Sequence, residues 1–139
     1  MAEKHPEAPF QLPKEYFTKH LGFHTSSPKP GQTEITLDIQ PHYLNIVGYV
    51  HGGFLMTVLD TLMGHAVFTS LGDPQARFGT SQMTTHFLRT VNGGQLSGEG
   101  RVLSYQGMYL TAEAELRNEQ GELVATAEAQ FTRFQPPGR

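Results

Sequence analysis

Asn45 to Asp60 reads Asn-Ile-Val-Gly-Tyr-Val-His-Gly-Gly-Phe-Leu-Met-Thr-Val-Leu-Asp. An amide, a histidine and a glycine pair stand immediately ahead of a long apolar run, and one carboxylate, Asp60, lies two turns inside it. From Gly52 onward Leu55, Val58, Leu59, Leu62, Met63 and Ala66 recur at helical spacing. Thr57, Asp60, Thr61 and Gly64 fall together on the other side. The run is therefore expected to form a largely buried helix with one narrow polar strip, ended by Gly72-Asp73-Pro74. A helix N-terminus carries unpaired N–H groups and partial positive charge, which suits it to receive an oxyanion. A carboxylate within an apolar helix is costly unless it is paired or used. Together these features point to a site that polarises a carbonyl and delivers a base or nucleophile to it.

Outward from this helix the pattern changes. Lys14 to Leu21 is expected to form a short helix, with Tyr16, Phe17 and Leu21 as its apolar side and Gly22 ending it. Residues 26–31, rich in serine and proline, read as a loop. Thr33 to Ile39 alternates as a half-buried strand, and Pro41 to Val50 reads as an irregular connection. Four strand-like runs follow the helix, at about 78–89, 95–103, 108–117 and 123–134. Their connections contain Asn92-Gly93-Gly94, residues 104–107 ending in Gly107, and Asn118 to Gly121, all hairpin signals. Short connections predict that consecutive strands are antiparallel neighbours. One strand, a long helix and a four-strand meander define an α+β domain, an antiparallel sheet wrapped around one long central helix. Residues 1–20 are expected to be an arm with a short helix, 21–134 the domain, and 135–139 a frayed tail.

Composition narrows the function classes. A chain of 139 residues suffices for one domain with a real core. The net charge of -3 argues against a nucleic-acid binder, which usually presents a basic face. With no cysteine there is no thiolate nucleophile, disulfide or Cys-ligated zinc. The first ten residues lack the apolar segment of a signal peptide. No stretch is expected to supply the ~20 apolar residues that cross a bilayer. These readings favour a cytoplasmic protein. His20 and His24 lack an evident third partner, so no metal is expected. Gly98 and Gly100 lie outside any strand-to-helix phosphate loop, and Ser81 is outside a nucleophile elbow.

The spacing of Asn45, Gly48, His51-Gly52-Gly53 and Asp60 resembles the signature of the PaaI-type hotdog-fold acyl-CoA thioesterases, within the 4-hydroxybenzoyl-CoA thioesterase-like superfamily. Thr80 to Arg89 resembles the strand that follows the helix in that family, with Thr90 where proline is frequent. The resemblance spans roughly residues 30–134. It implies the hotdog fold, hydrolysis of an acyl-CoA to free acid and CoA, no cofactor, and active sites between subunits of a homodimer, itself paired into a homotetramer. It implies an oxyanion hole at the Gly52 N–H, an orienting role for the Asn45 amide, a supporting role for His51, and Asp60 as the catalytic carboxylate.

From the residues alone several roles stay open. Asp60 reads as a structural, an interface or a catalytic acid, and as a catalyst it is either general base or nucleophile. Thr80 reads equally as a strand residue and as a positioning hydroxyl. Gly52 and Gly53 read either as the means of a tight turn or as room for a carbonyl. Leu55, Leu59 and Met63 are expected to contact the acyl chain, Gly53 to assist binding, and Arg89 or Arg101 to meet CoA phosphates. Tyr49, Phe54 and Phe68 are candidates for an aryl pocket or for core.

One inference is geometric. Eight residues of helix span ~12 Å, whereas a catalytic group works within ~3 Å of its target. Gly52 and Asp60 of one chain are thus poorly placed to serve one carbonyl, and a two-fold dimer solves this. The rival readings are an acyl-thioester hydratase or dehydratase, for which His65 stands about 140° around the helix from Asp60, and a non-catalytic acyl-CoA-binding domain.

Overall fold

The computed structural model describes residues 14–134; the expected arm over 1–13 and tail over 135–139 lie outside them. The elements are α1 (Phe17–Leu21), β1 (Ser26–Lys29), β2 (Gln32–Asp38), a 3-10 turn at Pro41–Tyr43, α2 (Gly52–Leu71), β3 (Arg77–Phe87), β4 (Gln95–Gln106), β5 (Tyr109–Arg117) and β6 (Leu123–Phe134). The strands form one antiparallel sheet in the order β1-β2-β4-β5-β6-β3. It wraps around α2, which is the hotdog fold.

The helix and sheet fit because their inner faces are opposite in size. α2 presents Leu55, Val58, Leu59, Leu62 and Met63, all buried. The middle of the sheet answers with small residues: Gly98 and Gly100 on β4, Ala112 and Ala114 on β5, and Ala125, Ala127 and Ala129 on β6. A Cβ on Gly100 would stand 3.0 Å from the Leu62 Cβ and 3.1 Å from its backbone carbon. One on Gly98 would stand 2.5 Å from Leu116 Cδ2. The two glycines thus serve helix–sheet contact. Buried Thr33 adds a polar tie, donating its hydroxyl to the Leu62 carbonyl at 2.7 Å.

Three features depart from the sequence reading. The serine–proline stretch forms β1, because β2 offers it a partner edge and Gly31 turns the chain at φ 82°. The four runs after the helix are not one meander: β4, β5 and β6 are consecutive neighbours, but β3 pairs with β6 at the sheet edge. Residues 88–94 cross the end of α2 to reach β4, held where the Leu88 N–H donates to the Val124 carbonyl and the Val50 N–H to the Val91 carbonyl. Finally, α2 has 20 residues, with a mean hydropathy of 1.4 over an 18-residue stretch, and is long and apolar enough to cross a membrane, contrary to expectation. Its large residues are packed into the sheet, as in the core helix of a folded domain.

The remaining boundaries follow local chemistry. Gly22 caps α1 in the left-handed region at φ 87°, and Gly72 caps α2 at φ 64°. Phe17 is exposed, so the apolar side expected of α1 is not buried as a unit. Tyr43 stacks on Phe54 with centroids 3.9 Å apart and donates its hydroxyl to the Leu21 carbonyl at 2.6 Å. Burial raises its phenol pKa.

Gly100→Ala is expected to destabilise the fold by about 1–3 kcal/mol through overpacking against Leu62. Gly93→Ala, with nothing within 4 Å of the added Cβ, should lie within about 0.5 kcal/mol of wild type. Urea unfolding of the two variants compares these values directly.

Candidate active site

The loop before α2 is built by Asn45. Its Oδ1 accepts from the Val47 N–H at 3.0 Å and the Tyr49 N–H at 3.1 Å, and Gly48 completes the turn at φ 89°. The side-chain carbonyl of Asn45 is therefore a turn former, and its amide NH2 lies outside these bonds. The loop holds Ile46 and Val47 out in solvent, Ile46 fully exposed.

His51 is the N-cap of α2. Its Nδ1 accepts from the Gly53 N–H at 2.8 Å, which places the ring proton of the neutral imidazole on Nε2. The Phe54 and Leu55 N–H groups both donate to the His51 carbonyl. Of the first-turn N–H groups, that of Gly52 lies outside these bonds among the described residues. Neither Gly52 nor Gly53 has positive φ. Their need is space: a Cβ on Gly53 would lie 3.0 Å from His51 Nδ1, and one on Gly52 would lie 3.4 Å from Phe87 Cε1.

Asp60 is half-buried on the strip of α2 that the sheet leaves uncovered. Its Oδ1 accepts from the Thr80 hydroxyl at 2.7 Å. A β-bulge delivers this contact. Thr80 stands opposite Phe131 and Gln82 opposite Gln130, so Ser81 is the extra residue. Strict alternation from Phe78 would turn Gln82 inward and Met83 outward. The bulge resets the phase, so that Phe78, Thr80, Met83 and Thr85 all face α2. Ser81 is pinned on the outer face, donating to the Gln130 carbonyl at 3.0 Å and accepting from the Thr132 hydroxyl at 2.9 Å. Neighbouring hydroxyls are occupied: Thr57 donates to the Gly53 carbonyl and Thr61 to the Thr57 carbonyl.

Asp60 and Thr80 open into a cleft of about 520 Å³. Thr61, Gly64 and His65 of α2, Phe78 and Gly79 of β3, and Phe131 of β6 line one side; Tyr16, Thr18, His24 and Thr25 line the other. His65, set aside by its helical angle from Asp60, thus shares the cleft. Its position four residues after Thr61 carried that signal, since i and i+4 share a helix face. Its Nδ1 lies 2.7 Å from the Thr25 hydroxyl.

Other expected contacts fall elsewhere. Leu55, Leu59 and Met63 point into the core and line no part of this cleft, because the sheet covers that face of α2. Phe54 belongs to the same core. Arg89 lies in the connection after β3, where it pairs with Glu122 at 3.4 Å and donates to the Leu123 carbonyl at 3.0 Å. Arg101 is clasped by Glu113 and Glu115 on the outer sheet face. The hydrogen bond to Glu115, foremost, holds its pKa above the usual value. Both arginines have carboxylate partners, Arg89 in an exposed ion pair. The candidate residues therefore fall in two groups at different turns of α2, the His51–Gly52 turn with Asn45 and the Asp60–Thr80 pair.

Residues 47–125 match the Thioesterase superfamily, and the chain belongs to that superfamily. No curated protein matches it in sequence. Solved structures place it in the same fold. A conserved protein from Pseudomonas aeruginosa is 28% identical, with 84% of this chain and 92% of that one covered and a TM-score of 0.77. A thioesterase from Haemophilus influenzae is 16% identical over 88% of this chain and 86% of that one, with a TM-score of 0.79. A hypothetical thioesterase from Streptococcus pneumoniae, solved with coenzyme A, is 22% identical over 82% and 87%, with a TM-score of 0.74.

His51→Ala is expected to lower stability by about 1 kcal/mol by leaving the Gly53 N–H uncapped, and His51→Asn should recover most of the loss. Urea midpoints at constant m value give the comparison.

Proposed function

We propose that this protein is an acyl-CoA thioesterase whose active site forms between two copies of the chain. The carrying observation is the Thr80–Asp60 hydrogen bond within an open cleft on the uncovered strip of α2, together with superfamily membership. The thioester carbonyl oxygen accepts from the Gly52 N–H of one protomer, with the Asn45 amide beside it. Asp60 of the other protomer takes a proton from water as the water oxygen bonds to the acyl carbon. The carbon–sulfur bond breaks, the proton passes to the CoA thiolate, and free acid and CoA leave. In the alternative route Asp60 attacks directly, and water then hydrolyses the mixed anhydride. Thr80 fixes one carboxylate oxygen in both routes and leaves the other for chemistry.

The dimer is supported by what the single chain leaves uncovered. β3 is an edge strand of 11 residues, of the kind that pairs with another strand unless protected. Met56, Phe87, Leu88, Ile46 and Val47 are exposed around the start of α2. A two-fold partner covering this face would bring its Asp60 toward Gly52. Leu103, Tyr105 and Met108, exposed around the β4–β5 turn, offer a further surface for a dimer of dimers. The placement of Asp60 and His65 on one cleft keeps acyl-thioester hydration as a second reading. It would consume an enoyl-CoA without releasing thiol.

CoA release from short, long and aryl acyl-CoA substrates tests the proposal. Asp60→Asn should reduce turnover by roughly a hundredfold or more with fold and oligomer intact. Saturable binding with no thiol release by wild type would instead mark a binding domain. Gly52→Val, which crowds Phe87, should also be inactive. Refolding it together with Asp60→Asn should restore activity that neither variant has, if the site is shared; lack of recovery in mixed dimers argues against sharing.

A further inference from the structure

The cleft beside Asp60 has a wall outside the superfamily match. Residues 47–125 carry Asp60, His65 and Thr80, but the facing side is Tyr16, Thr18, His24 and Thr25. That segment is fixed to the body at several points. Phe23 is buried and packs edge-on against Phe54 at 5.8 Å. The Leu21 carbonyl receives the Tyr43 hydroxyl. Thr25, half-buried, meets His65 Nδ1 on α2 at 2.7 Å, across 40 residues of sequence. A wall anchored this way sets the width of the cleft.

The lining also has a definite chemistry. Phe78 and Phe131 supply its apolar part, and half-buried Thr18 and exposed His24 line the opposite segment, while the Thr25 hydroxyl is bonded to His65 and that of Thr61 to the Thr57 carbonyl. A long alkyl chain laid here would strip water from the Thr18 and His24 side chains and return no hydrogen bond. A short acyl group would leave them wet. Tyr16, at the N-cap of α1, is the bulkiest side chain on this segment of the lining.

We propose that the segment Tyr16 to Thr25 is the specificity wall of the acyl cleft. Tyr16 limits acyl length, and the Thr25–His65 hydrogen bond is a positioning contact that holds the wall at its distance from α2, so that short acyl groups are preferred over long alkyl chains. The proposal rests on the thioesterase reading, because it takes the cleft at Asp60 as the acyl site.

The test uses two readouts on the full chain. Calorimetry measures binding of non-hydrolysable S-alkyl-CoA thioethers from ethyl to hexadecyl, and CoA release gives kcat/KM for the matching acyl-CoA series. Wild type should favour the short members in both. Tyr16→Ala should raise the long-to-short ratio by roughly tenfold or more, the scale on which hydrophobic pockets discriminate. Thr25→Val, which removes the hydroxyl at nearly constant volume, and His65→Phe should shift the ratio in the same direction, whereas a merely structural role would lower all substrates alike. A ratio unchanged in folded variants, or a wild type that favours long chains, overturns the wall. Shifted thioether binding without thioester hydrolysis by wild type would retain the wall and remove the thioesterase reading. Hydrolysis with an unmoved ratio would do the reverse.

Discussion

Close approach between α2 and the sheet is the constraint on which the rest depends. A helix carrying leucine, valine and methionine sits deep in a curved sheet only if the strands beneath it are lined with small residues. Gly98, Gly100 and the alanines of β5 and β6 meet that requirement, and the Cβ that would strike Leu62 from Gly100 shows how little room remains. Interiors at this density tolerate no spare methylene. The sheet can enclose only one side of the helix, so a strip stays uncovered along its length. Asp60 lies on that strip.

The chemistry then inherits the geometry of a single helix. A straight helix separates its start from a residue two turns on by ~12 Å, and nothing in the packing shortens this. The turn at Gly52 and the carboxylate of Asp60 therefore stand apart on one helix, the two halves of the site proposed above. The free edge of β3 and the apolar residues around the helix start favour completing them with a second copy. Each has a defined local structure: His51 accepts from the Gly53 N–H, and the Ser81 bulge turns the Thr80 hydroxyl to Asp60.

Periodicity exposed the helix from Gly52 to Leu71 and placed the later strands within a few residues of their observed bounds, because alternation and helical spacing are local properties. The glycine pair was legible as a helix start, but its reason was not. The space taken by the His51 ring and by Phe87 appears only once β3 lies beside α2. Asn45 illustrates the local side: its carbonyl forms a turn with the Val47 and Tyr49 N–H groups, two and four residues on. Arg89 and Arg101 were legible as charges at strand ends or faces, and their glutamate partners were not, since register across the sheet decides which carboxylate stands opposite.

The sequence by itself determined the elements, the capping chemistry of the helix and the isolation of one carboxylate on its polar strip. Tertiary structure decided the rest. β3 pairs with β6 rather than with its successor β4, because the chain crosses the end of α2 before turning back. Leu55, Leu59 and Met63 belong to the core and not to the cleft, because a helical stripe does not say which surface covers it. His65 and Thr25 meet across 40 residues, because the wall of the cleft is made where two distant segments pack. Spacing along a chain fixes which side chains share a face, and only the packing of faces fixes what each of them meets.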